Sequence, residues 1–159
     1  MTTQGGKVRV AVIGVGNCAS SFVQGVEFYK SARDDVNVPG LMHVNLGGYH
    51  IRDIEFSAAF DVVVGKVGLD LSAAIWASPN NTTRFAEVPD LGVPVQRGMT
   101  HDGIGKYLDM VVEKAPGPTD NIVQILKDTG TDVVVSYLPV GSEMATKWYV
   151  EQVLDSGCA

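Results

Sequence analysis

The residues Gly14-Val15-Gly16-Asn17-Cys18-Ala19 have the spacing G-x-G-x-x-A. In such a run the first glycine permits a sharp turn, the second leaves room for a diphosphate to approach the backbone, and the small final residue lets a helix lie close to a sheet. The first N–H groups of that helix then face the phosphates. A glycine turn that only packs a helix on a strand uses the same residue types, so the flanking elements decide between the two. Cys18 has no His or Arg near it in sequence to stabilise a thiolate, and reads as a small residue fitting a tight site.

Asp61 closes an apolar segment, where a dinucleotide-binding sheet places the carboxylate that accepts hydrogen bonds from the adenosine ribose. It favours NAD over NADP, although Lys66 could offer charge to a 2′-phosphate. The usual offset of about 20 residues between glycine loop and carboxylate is roughly doubled, and an insertion at 31–53 accounts for the difference. A solvated strand-end aspartate is the plainer alternative. Asp70, one or two turns into the next helix, either reaches the adenosine end or stands exposed. Ser136, Tyr137, Leu138, Pro139, Val140 and Gly141 form a third group, which faces the nicotinamide half or serves as a proline-fixed connector. His101 beside Asp102 invites an acid/base reading, and Arg97 a phosphate contact. They lie in the segment Arg97–Gly103, which together with the polar run Ser78–Thr83 carries a less specific signal; a loop histidine is more often solvated, and Arg97 as readily forms a surface ion pair.

The elements that must position these groups follow from periodicity. Val8 to Ile13 is a β-branched run suited to a strand buried on both faces. From Asn17 the apolar positions fall at Ala19, Phe22, Val23, Val26 and Tyr29, a helical spacing that lasts to about Lys30. Residues 54–61 read as a second strand and Val67–Ala77 as a helix. A short strand is expected near Val93–Gln96, and a weak helix over Ile104–Glu113. A helix over Thr119–Lys127 has Thr119 as its N-cap and Gly130 as its stop. Val133–Ser136 reads as a strand, and a final helix from near Ser142 carries Ala145, Trp148, Tyr149 and Val153. Alternating helices and uninterrupted apolar strands define an α/β fold, a Rossmann-type doubly wound parallel sheet with helices on both faces. Asp155-Ser156-Gly157 looks like a helix stop, after which such a sheet needs one more strand. The chain therefore reads as the first part of something longer, with a natural short form as the alternative.

With 159 residues, 45% of them apolar and 19% charged, the chain suits one packed domain. Its net charge of −6 has the wrong sign for a nucleic-acid partner. Cys18 and Cys158 show no paired spacing for zinc or redox chemistry, which points to a reducing compartment. The N-terminal MTTQGGKVRV has no apolar core for a signal segment, and the most apolar stretch, Ile54 to Val64, is short and broken by charges. A cytoplasmic protein without a membrane partner is expected.

In these same residues the sequence resembles the myo-inositol-1-phosphate synthases, in their shorter actinobacterial-type form. The resemblance lies in VAVIGVGNCASS (10–21), VPGLMH (38–43), AAFD (58–61), VQRG (95–98), DGIGKY (102–107) and VSYLPVGSE (135–143). It implies an NAD-dependent isomerase that converts D-glucose 6-phosphate to 1L-myo-inositol 1-phosphate by oxidation at C5, aldol closure of C6 on C1 and reduction of the ring ketone. The full-length family protein is implied to be a homo-oligomer, commonly a tetramer. Its catalytic lysines lie in a later domain with no counterpart in 1–159, so no catalytic residue and no metal ligand is carried over. The cofactor positions implied are Gly14 to Ala19, Asp61 and Ser136 to Gly141, with Asp70 and Tyr149 as weaker members. Two other readings stay open: a free-standing dinucleotide-binding or interaction module without catalysis, and simple hydride transfer on another substrate, which the SYLPVGSE loop disfavours.

Overall fold

The computed structural model describes residues 6–159, apart from the side chain of Leu108. The first five residues of the segment read above for a signal sequence lie outside that range. Strand β1 (Val8–Ile13) ends at the glycine turn and feeds helix α1 (Asn17–Tyr29). A small antiparallel hairpin, β2 (Asn45–Leu46) and β3 (Tyr49–His50), lies within the insertion. Then come β4 (Ile54–Asp61), α2 (Leu71–Ala74), β5 (Val95–Arg97), α3 (Ile122–Asp128), β6 (Val133–Ser136) and α4 (Glu143–Ser156).

The main sheet has the order β5-β4-β1-β6 and every pairing in it is parallel. The order reverses beside β1, and ligands of open α/β sheets bind at such switch points. Both faces are covered. Val12, Phe56 and Ala59 pack with Ala19 and Val23 of α1 and Leu71 of α2, while Ala11, Ile13, Ala58 and Phe60 pack with Ile122 and Leu126 of α3 and Tyr149 of α4. Phe56 and Ala58 would share a face in a regular strand. They do not, because the register steps from Val10↔Phe56 to Ala11↔Ala58 and leaves Ser57 as an extra residue. That bulge resets the alternation and turns Phe60 and Asp61 as the strand end requires.

Buried polar groups fasten the insertion and the loops. His50, 3% exposed, accepts the Arg52 N–H at Nδ1 (2.9 Å) and so donates from Nε2 to the Ala32 carbonyl (2.8 Å). This ties residues 31–53 to the end of α1. Gln24, wholly buried on α1, donates to the Thr83 carbonyl (3.2 Å) and accepts from the Phe85 N–H (2.8 Å), holding the loop that follows α2.

The structure corrects three expectations and shows the start of the extra strand that the sheet was expected to need. Between 67 and 77 the α-helix is confined to Leu71–Ala74, since Gly68 has φ +87° and cannot continue a right-handed turn. Residues 104–113 hold no α-helix, only a 3-10 turn at Leu108–Met110. The cap of α3 is Asn121, whose Oδ1 accepts the Gln124 N–H (3.1 Å), whereas the Thr119 hydroxyl turns to the Gly98 carbonyl (3.4 Å). Beyond Gly157 the chain makes one further rung: Val134 N–H donates to the Ala159 carbonyl (2.8 Å) and Ala159 N–H to the Asp132 carbonyl (2.9 Å), a parallel pairing on the outer edge of β6.

Asp70 is likewise placed differently, as the N-cap of α2 and not inside a longer helix. Its carboxylate accepts from the amides of Ser72 (2.9 Å), Leu91 (3.2 Å) and Val93 (2.7 Å). Burial raises its pKa, but the bonds from Ser72, Leu91 and Val93 outweigh burial and hold the carboxyl below the usual carboxylate range. A folded-state pKa below the unfolded one contributes stability that is full above the unfolded pKa, near 4, and is lost as pH falls through the folded value. Asn caps a helix as well as Asp, but in Asp70→Asn an NH2 replaces the oxygen that accepts the Val93 N–H, so the variant is expected to be less stable than the parent at neutral pH by about 1 kcal/mol, with the gap closing in acid. Urea melts of both proteins at pH 7 and pH 3 check this, and an equal gap at both pH values would contradict it.

Cys18 is exposed and Cys158 buried, both as free thiols. Among the described residues no helix is long and apolar enough to cross a membrane, and no group of three or more His, Cys, Asp or Glu side chains is placed to hold a metal.

Candidate functional site

The carboxyl ends of β1 and β4 and the loop after β6 surround a cleft of about 370 Å³. Its floor is the glycine turn. Gly14 has φ +85°, and a Cβ there would lie 3.2 Å from the Tyr137 carbonyl group, so the position needs glycine for both conformation and space. Gly16 has an extended backbone, and a Cβ built on it meets nothing within 4 Å. It precedes a helix of 13 residues without any side-chain cap, so first-turn amides remain free to receive an anion.

The peptide groups of Val15 are tied at both ends. Its N–H donates to Asp61 Oδ2 (2.7 Å), and its carbonyl accepts from Lys66 Nζ (2.7 Å) and Asn80 Nδ2 (3.0 Å). The other oxygen of Asp61 accepts the amides of Val62 (2.6 Å) and Val63 (2.9 Å). Asp61 thus sits where the sequence places it, buried and already engaged with the turn. Lys66 is only 2% exposed and also donates to Asn80 Oδ1 (2.8 Å). Burial pulls its pKa below that of an ordinary lysine, against the attraction of Asp61. It supports the glycine turn from within and is not the free rim cation that a 2′-phosphate would need.

Of the residues expected to hold a cofactor, Gly14, Gly16, Asn17, Asp61, Tyr137, Leu138, Pro139 and Tyr149 line this cleft. Val15 and Ala19 are wholly buried behind it. Cys18 faces a different groove, of about 590 Å³, between Phe22 and Leu41, whose walls are mainly apolar and include no strand end bearing a carboxylate. Ser136 lies along α4, Gly141 at the turn into α4, and Asp70 at α2; none of the three borders the cleft. Arg97 donates to the carbonyls of Ala115 and Gly98, so its guanidinium is spent on the backbone. His101 lines the cleft with its ring 6.1 Å from that of Trp148. Asp102 does not face it as an acid/base partner, because its oxygens accept the Met144 (2.8 Å) and Ala145 (2.9 Å) amides at the start of α4.

The loop after β5, whose signal in the sequence is a weak one, closes the remaining side. Tyr149, 3% exposed, accepts the Met99 N–H at its hydroxyl (2.8 Å). Thr100 follows and borders the cleft, its Oγ1 buried and without a hydrogen-bond partner. Asn80 and Thr100 belong to the two polar segments 78–83 and 97–103, whose composition gives only an unspecific signal; contacts between distant segments bring these particular residues to the cleft.

Burial, the largest influence, pushes the Tyr149 phenol up to about 12. An acid whose folded pKa is raised keeps its stabilising share below the unfolded value, near 10, and loses it as pH climbs to the folded one. Ultraviolet titration of the folded chain is expected to show one tyrosine ionising near 12, absent in Tyr149→Phe. The parent's thermal stability should fall between pH 10 and pH 12 more steeply than that of the variant. Identical slopes would show that the phenol is not buried as described.

A parallel sheet with this strand order, helices on both faces and a glycine turn at the switch point defines a Rossmann-type α/β domain. No protein-family model matches the chain. Among curated proteins it is 54% identical to an inositol-3-phosphate synthase of Mycolicibacterium smegmatis, over 100% of this chain and 44% of that protein. It is 57% identical to an inositol-3-phosphate synthase of Mycobacterium tuberculosis, over 96% of this chain and 42% of that protein. Among solved structures, a crystal structure of Ari2 superposes with a TM-score of 0.80 at 31% identity, over 96% of this chain and 44% of the other. The chain is thus a relative of the inositol-3-phosphate synthases along all or nearly all of its length, and it spans less than half the length of those relatives.

Proposed function

We propose that this chain binds NAD in the cleft at the switch point, as the cofactor domain of an activity that converts D-glucose 6-phosphate to 1L-myo-inositol 1-phosphate. The observation that carries the reading is Gly16: open space above its Cα faces an uncapped helix start, beside a buried carboxylate at the end of the next strand. The names of the relatives support an inositol-phosphate synthase, and the substrate and course of the reaction are what the family resemblance implies. NAD, when bound, supplies the removal and return of a hydride. The residues of this chain bind and orient. Gly14 and Gly16 let the diphosphate approach, the first-turn amides of α1 receive its charge, Asp61 faces the ribose, and Tyr137 to Pro139 flank the nicotinamide half. Catalytic groups and the contacts of an oligomeric full-length enzyme belong to segments beyond this one, in a cytoplasmic setting.

Calorimetric titration of the 159-residue chain with NAD and NADP tests the cofactor reading. NAD is expected to bind, and NADP more weakly, since the carboxylate of Asp61 is fixed and Lys66 is engaged within the turn. Equal or tighter binding of NADP would overturn the assignment of Asp61. Purified chain incubated with glucose 6-phosphate and NAD is expected to form no inositol phosphate, and detectable product would refute the division of labour.

A further inference from the structure

We propose that Thr100 is a cofactor-contacting residue whose hydroxyl hydrogen-bonds an oxygen of the dinucleotide held in the cleft; this rests on the NAD reading above. Thr100 borders the cleft, and among the described residues its Oγ1 is the one buried side-chain oxygen or nitrogen with no hydrogen-bond partner. A hydroxyl removed from water and left unpaired destabilises a fold, and a valine of the same shape would avoid that loss.

The backbone on both sides of Thr100 is held, so a turn of its side chain about χ1 suffices to present the hydroxyl to the cleft. Ahead of Thr100, the Arg97 N–H donates to Asp120 (2.6 Å) and the Met99 N–H to the Tyr149 hydroxyl (2.8 Å). After it, the Asp102 carboxylate grips the first amides of α4 at 2.8 and 2.9 Å. A side chain on a backbone held from both sides, bordering a cavity and lacking a partner, matches a group whose partner arrives with a ligand. A hydroxyl can both donate and accept, so it suits a phosphate oxygen or a ribose hydroxyl.

Two measurements on three proteins test this: calorimetric titration with NAD, and thermal unfolding without it, for the parent, Thr100→Val and Thr100→Ser. Thr100→Val is expected to bind NAD about tenfold more weakly while its ligand-free Tm stays equal to the parent's or rises. Thr100→Ser, which keeps the hydroxyl, should bind within about threefold of the parent. A structural hydroxyl would behave otherwise: Thr100→Val would melt earlier without NAD, and that result overturns the proposal. It is also overturned if Thr100→Val binds NAD as tightly as the parent, or if Thr100→Ser loses as much affinity as the valine variant. A folded parent that fails to bind NAD would instead remove the cofactor reading itself, and this inference with it.

Discussion

Gly16→Val is expected to remove NAD binding from a domain that remains folded. At φ −91° and ψ −162° the backbone of Gly16 is extended, a conformation open to any residue, and a Cβ there meets no atom within 4 Å. The fold therefore has little reason to object, and the melting temperature should stay within about 2 °C of the parent's. The isopropyl group, however, fills the space through which a diphosphate would reach the amides of α1. A loss of at least about a hundredfold in affinity is expected, read by calorimetry alongside a thermal melt. Gly14 offers the contrast, because its positive φ and the 3.2 Å approach to Tyr137 make any side chain there a folding defect. Retained affinity in a folded Gly16→Val protein would move the phosphates to another part of the molecule.

Asp61→Ala should have the largest effect on stability. Three amides, those of Val15, Val62 and Val63, lose their acceptor, and the buried ammonium of Lys66 loses a neighbouring negative charge. Leaving buried donors unpaired costs about 1–3 kcal/mol each before relaxation, so a net loss of roughly 3–5 kcal/mol is expected. In a domain of this size that lowers Tm by about 10 °C. NAD should bind poorly to the variant, because the turn that presents Gly16 is no longer held. A thermal scan with and without NAD reads both effects, and an Asp61→Ala protein melting with the parent would show that the carboxylate is not part of the turn's framework.

What the sequence made legible was whatever a short window determines. Val8–Ile13 and Ile54–Asp61 are predominantly apolar runs, the first followed by Gly14 and the second closed by Asp61, and both strands occur with those bounds. The first helix was visible from its apolar spacing, and so were the turn that starts it and the strand at Val133–Ser136. The errors came where a distant partner decides. The run at 67–77 looks helical, but Gly68 and the attachment of Asp70 to Leu91 and Val93 shorten it to one turn. At 104–113, turns linked to other segments replace the expected helix. Asn121 took the cap expected of Thr119 because the Thr119 hydroxyl was used elsewhere. Around the cleft, the glycines are recognisable by their spacing and Asp61 by its place at a strand end. Asn80, Met99 and Thr100 fall in polar segments that the sequence marks only weakly, and tertiary contacts decide which of their residues reach the cleft.

The double attachment of the Val15 peptide, to Asp61 on one side and to Lys66 and Asn80 on the other, makes the glycine turn, proposed above to bind the phosphates, a preorganised element. A loop that orders itself around its ligand loses conformational entropy at the moment of binding, and affinity falls accordingly. Here that ordering occurs during folding, before any nucleotide is present. The cleft should receive its ligand by rigid docking, with free and bound backbones nearly superimposable and the loop contributing little to the entropy change. Its occupancy would then follow the supply of cofactor and not the rhythm of a moving lid.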